Sequence, residues 1–246
     1  DPVTIRGGAI TVTALQAGSL AITLTSTGAI DEDTDDTTVD ITTSGTLTMT
    51  AQGAIGVSTG NGELDLTVGT LVATTNATGI FLVESDGLTI GSGGVKTSAG
   101  NADIEITLTA GDLTLDDDIT AHGSGAVTLT LLTADTAVIT SGADDDIASG
   151  SGAITITADR LTLASGTISS SGGALTLQPN ATDESIGVSG GAGNFALSTA
   201  EIDLLTNGFC SITIGRSNST ALMTINADTF LDPITFRMGG VSGDIT

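Results

Sequence analysis

One phrase recurs along the chain: a glycine, a small or polar residue, then apolar, threonine, apolar. It stands at Gly8 to Ala14 (GAITVTA), Gly45 to Ala51 (GTLTMTA), Gly125 to Leu131 (GAVTLTL), Gly152 to Ala158 (GAITITA) and Gly173 to Pro179 (GALTLQP). In each copy the apolar residues lie two apart, as Ile154 and Ile156 do around Thr155. On a strand that spacing puts them on one face and the threonine on the other. A single strand of this kind cannot bury its apolar face alone. Repetition at a spacing of tens of residues therefore points to stacked coils, and the 246 residues read as one array, 1–246, rather than as compact domains.

A second strand follows each phrase, marked by Leu47 and Met49, Leu88 and Ile90, Leu113 and Leu115, and Leu161 and Leu163. A weaker third is marked by Ile55, Val95, Ile119, Ile147 and Ile168, each near a Gly-rich or Asp-rich turn. Val39, Leu64, Ile80, Ile104, Val127, Ile154, Leu175 and Phe195 serve as anchors of the first strand. Their spacing implies coils of 20 to 27 residues, with one misfit of 16 between Leu64 and Ile80. Either a coil is short there or Ile80 belongs to another face.

The expected fold is all-β, a parallel β-helix (β-solenoid) of about three short strands per coil and no long helix. At a strand spacing of ~4.8 Å, roughly ten coils make a rod on the order of 50 Å long. Ile10, Ile41, Leu66, Ile106, Leu129, Ile156 and Leu177 should share one core. The rival is a hairpin sandwich or barrel, because alternation alone does not separate parallel from antiparallel pairing. Two-residue hairpin signals are scarce, which favours the solenoid.

Composition agrees. Aromatic residues make up 2% of the chain, with no Trp and no Tyr, so Val, Ile, Leu and Ala must fill the core. Asp and Glu number 29 against 5 Lys and Arg, and a formal charge of −24 repels nucleic acid and anionic lipid. No 18-residue apolar run and no signal-like leader are present, so neither nucleic acid nor membrane insertion is expected. Cys210, the single cysteine, rules out an internal disulfide and reads as a core residue.

Catalysis needs a nucleophile, a base and an orienting group within reach of one another. The only histidine, His122, sits in a Gly-rich and Ser-rich turn and reads as solvated. Arg6, Lys96, Arg160, Arg216 and Arg237 are scattered, and there is no Trp or Tyr platform for a sugar. No catalytic or organic-cofactor site is expected, and the chain reads as a non-enzyme.

The acidic turns are the most informative chemistry. Asp116, Asp117 and Asp118 precede Ile119, and Asp144, Asp145 and Asp146 precede Ile147, at the same place in consecutive coils. Stacked ~5 Å apart, these carboxylates repel one another unless solvent screens them or a cation bridges them. Calcium, which takes six to eight oxygen ligands, is the candidate ion. A solvated charge run is the alternative. A second acidic cluster, Asp31, Glu32 and Asp33 with Asp35 and Asp36, follows Ile30 in a longer loop. Outward Thr pairs, such as Thr128 and Thr130, reflect the β propensity of threonine.

From Leu175 onward the order becomes more specific: Leu177-Gln178-Pro179, Ser185-Ile186-Gly187-Val188, Phe195-Ala196-Leu197, Ala200-Glu201-Ile202, Asn207-Gly208-Phe209, Ile212-Thr213-Ile214-Gly215-Arg216 and Asp232-Pro233-Ile234-Thr235. This block, within 175–246, resembles a repeat of very large bacterial surface and secreted proteins with filamentous-haemagglutinin-like β-helical stretches. The resemblance implies a right-handed β-helix, export to the cell surface or beyond, and a role as stalk or adhesion surface. The implied partners are a cell-surface glycan or protein; separately, neither Asp1 to Gly8 nor Val241 to Thr246 resembles a polar cap, so end-to-end self-association or continuation of the same chain is expected. A self-assembling extracellular filament is the alternative, and a polysaccharide-active β-helix enzyme a remote one.

Overall fold

In the computed structural model, residues 1–58, 61–239 and 244–245 are described, and every strand pairing among them is parallel. The chain is a β-solenoid of about nine turns. One ladder runs the length of the rod: Ile10 pairs with Ile30, and the line continues through Ile55, Ile80, Ile104, Val127, Ile154, Leu175 and Ile212 to Ile234. Nine steps at ~4.8 Å give a rod of about 43 Å.

A second ladder takes Leu88, Leu113, Ile139 and Leu161, and a third takes Val95, Ile119, Ile147, Ile168 and Leu205. In the early coils these two faces run together in long strands such as Ile41–Ala51 and Leu64–Thr75. The inward expectations hold: Ile41, Leu66, Ile106, Leu129, Ile156 and Leu177 are fully buried and Ile10 is nearly so. The helix content among the described residues is a single four-residue helix, Thr199–Ile202, closed by a capping box between Ser198 and Glu201.

Three register readings need correction. Leu64 stacks on Leu82, not Ile80, so the 16-residue misfit is a two-residue offset: Val39 and Leu64 belong one inward position further along the strand. Val39 itself lies outside any strand and is half-buried. Ile55 supplies the missing first-ladder station, stacking between Ile30 and Ile80, and is not a third-strand marker. Phe195 is not the anchor after Leu175, because Leu175 pairs with Ile212, 37 residues on. That long coil doubles back: Phe195–Leu197 packs against Arg160–Leu163, and Ile186–Val188 lies on its other side, with Met223 next.

The recurrent glycine has a steric cause. A Cβ on Gly125, Gly152 or Gly173 would come within 2.1 Å of a carbonyl oxygen in the coil below, that of Ala102, Gly125 and Gly152 respectively. The corner is pinned by inward hydroxyls. Ser149 Oγ donates to Gly125 O and accepts from Gly152 N, both at 2.7 Å, and Ser170 repeats the arrangement between Gly152 O and Gly173 N at 2.8 and 3.1 Å. Thr43 does the same for Leu20 O and Gly45 N. Buried backbone groups at the corner thus find partners even where the ladder turns.

Candidate metal centre

The two Asp runs do stack. Ile119 pairs with Ile147, which puts Asp118 beside Asp146. Their carboxylates largely cap backbone amides of neighbouring coils rather than converge. Asp118 Oδ1 accepts from Asp146 N at 3.0 Å, and Asp146 Oδ1 from Thr167 N at 2.7 Å and Thr167 Oγ1 at 2.8 Å. Asp117 accepts from Gly93 N at 2.8 Å and Asp118 N at 2.7 Å, and Lys96 Nζ lies 3.3 Å from Asp117 and 3.6 Å from Asp118. The Gly93 and Asp118 amides, helped by Lys96, hold the Asp117 carboxyl below its ordinary range. Asp145 is buried, and burial together with repulsion from Asp116, Asp117 and Asp118 pushes it up. Asp116 and Asp144 are exposed.

Convergence occurs elsewhere. Among the described residues, one group of three carboxylates brings an oxygen from each within 4.8 Å of the others: Glu32, Asp40 and Asp65, all buried. The backbone explains the place. Ile80 and Glu84, which stack on Ile55 and Leu66, are four residues apart, but eleven residues separate Ile30 from Ile41 and Ile55 from Leu66. Two successive coils therefore bulge at the same corner. Asp40, just before the strand Ile41–Ala51, and Asp65, on Leu64–Thr75, lie in register, with Asp40 N donating to Asp65 O at 2.8 Å and Asp65 N to Asp40 Oδ2 at 3.1 Å. Glu32 ends the strand Ile30–Glu32 at the entrance of the first bulge.

Burial pushes Glu32 up to about 7, with repulsion from Asp40, Asp65 and Asp36 adding to it. Burial likewise raises Asp40 to about 6, aided by Asp36, Asp33 and Asp31, and Asp65 to about 6, aided by Asp40, Asp36 and Glu63. Glu32 Oε1 is buried without a hydrogen-bond partner. A cleft lined by Asp36, Val39, Glu63 and Asp65 opens beside the group.

The sequence marks Glu32 as part of an acidic loop but gives no sign of Asp40 or Asp65, each a lone acid beside a strand's apolar residues. The available signal was the length between ladder stations, which doubles in these two coils and in no other stretch from Ile10 to Leu131.

Other candidate groups are dispersed. His122 is exposed in its turn, its Nδ1 3.0 Å from Gly100 O. Cys210 is exposed, contrary to expectation, because the neighbouring Phe209 takes the inward place. Arg216 pairs with no carboxylate among the described residues: its guanidinium donates to the carbonyls of Pro179 and Asn180 and to Asn218 Oδ1. No protein-family profile, curated protein or solved structure matches the chain, so the resemblance to haemagglutinin-like repeats rests on the residues that carry it, while the β-solenoid itself rests on the strand register.

Proposed function

We propose that the chain is a structural rod segment, stalk or adhesion surface, of a large bacterial cell-surface or secreted protein. The observation that carries this reading is the unbroken first ladder from Ile10 to Ile234, which makes a stiff spacer out of residues that do nothing but stack. A repeat array of this kind derives its stability from neighbour-to-neighbour burial and presents an extended exterior. That exterior is polar and acidic, in keeping with a formal charge of −24. Exposed His122 and exposed Cys210 lie in different coils, and among the described residues neither has a base or acid partner that would make a nucleophile of it.

Two assays test the reading on the purified segment. Electron microscopy should show isolated short rods, and incubation with a panel of neutral and acidic polysaccharides should release neither reducing ends nor unsaturated uronates. Turnover of any polysaccharide would overturn the non-enzymatic reading. Long filaments at micromolar protein would replace the passive segment with a self-assembling one.

A further inference from the structure

We propose that Glu32, Asp40 and Asp65 form a calcium site that closes the two widened coils. Three observations meet there. The oxygens lie within 4.8 Å of one another; two oxygens bound to one calcium ion at up to about 2.6 Å can be no more than about 5.2 Å apart. Glu32 is 7% exposed and its Oε1 has no hydrogen-bond partner, an uncompensated buried acceptor of the kind that a folded protein rarely leaves without a protein, water or ion partner. The bulges that create the site occur in these two successive coils together, and each delivers acids to it.

The donor set selects the ion class. All three side chains are carboxylates, and no His is near because the only one is His122, so zinc and copper lack the ligands they favour. Magnesium keeps several waters and demands a tight octahedron, whereas calcium accepts a crowded, irregular shell of protein oxygens. Asp36, at the mouth of the cleft, can complete that shell. The charged groups acting on the three acids are one another and Asp31, Asp33, Asp36 and Glu63, all acidic, so a bound cation would relieve their repulsion.

Protons compete for the same oxygens, and occupancy should therefore depend on pH. Calcium binding should weaken as pH falls from 8 to 5.

Calcium chloride is titrated calorimetrically into the unaltered segment at pH 8 and pH 5, with magnesium chloride in parallel at matched ionic strength. The proposal predicts one saturable calcium per chain at pH 8, at least about tenfold weaker binding of magnesium, and weaker calcium binding at pH 5. The double variant Glu32→Gln with Asp65→Asn should bind calcium ~100-fold more weakly, as loss of two ligands requires. Asp117→Asn with Asp145→Asn should bind within about twofold of the unaltered chain, since those carboxylates lie outside the site. Asp40 is kept because its Oδ2 braces the Asp65 amide. Absence of saturable binding at pH 8, equal affinity for magnesium, or loss of the ion in the Asp117/Asp145 variant with retention in the Glu32/Asp65 variant would each overturn the site. Circular dichroism of the variants checks folding, and the titrations of the unaltered chain decide even if a variant misfolds.

Discussion

Glu84 occupies a core column between Leu66 in the coil below and Leu108 in the coil above, and it is fully buried. Val68 N, at 3.1 and 3.2 Å, and Ser85 N, at 3.0 Å, donate to its carboxyl, yet burial outweighs them and pushes it up to about 8. A carboxyl whose folded value lies above its unfolded one stabilises the fold fully below the unfolded value, near 4, and loses that contribution as pH rises through about 8. Glu84→Gln, a neutral side chain of the same shape, should therefore match the unaltered chain near pH 4 and gain on it steadily as pH rises. At pH 9.5 it should exceed it by an amount on the order of a few kcal/mol. Denaturant melts of both proteins at the two pH values check this, and an identical pH dependence would remove Glu84 from the account. Glycines give a sharper steric test. Gly152→Ala places a methyl 2.1 Å from Gly125 O and should cost roughly 1–3 kcal/mol or more, whereas Gly8→Ala meets nothing within 4 Å and should be within about 0.5 kcal/mol of neutral.

At the scale of strands, each coil's stability is its inward row. Ile156 is fully buried, with Leu129 on one side and Leu177 on the other in the same column. Ile156→Ala should cost roughly 2–5 kcal/mol, read as a lower midpoint of urea unfolding. Outward Thr155→Ala on the same strand should cost well under half as much, because its loss empties no cavity. Such strands were legible because inward and outward residues differ in kind, and the second- and third-ladder residues marked from Leu88 to Ile168 stack as expected for that reason, with Ile139 the station left unmarked. Alternation has a period of two, so it leaves a shift of two residues unseen; this is how Leu64 came to be aligned with Ile80. Phe195 misled for a different reason: the coil between Leu175 and Ile212 folds back on itself, and nothing in a local pattern announces a reversal. The site was half legible on the same logic. Clustered acids around Glu32 are visible in one dimension, but Asp40 and Asp65 meet only through a register 25 residues long.

For the whole molecule, most resolved carboxylate shifts point the same way. Burial raises Asp31, Glu32, Asp40, Asp65, Glu84, Glu105, Asp145 and Glu184, and Asp117 alone is lowered. The folded rod therefore binds more protons than the unfolded chain between about pH 4 and 8, and its stability falls as pH rises across that window. With chelator present, melting at pH 5 should lie above melting at pH 8.5, and a net charge of −24 adds repulsion in the same direction. Scanning calorimetry at the two pH values checks the order. All of this rests on one continuous in-register stack, which distance measurement addresses most directly. Thr11, Thr128, Thr155 and Thr235 each follow a first-ladder station, at Ile10, Val127, Ile154 and Ile234. With exposed Cys210 replaced by serine, spin labels at Thr11 paired in turn with Thr128, Thr155 and Thr235 report five, six and nine coils of separation. Electron-electron dipolar spectroscopy should give about 24, 29 and 43 Å, rising by ~4.8 Å per coil. A Thr11–Thr235 distance no longer than Thr11–Thr155, as a sandwich of paired hairpins would give, would contradict the solenoid and everything built on it.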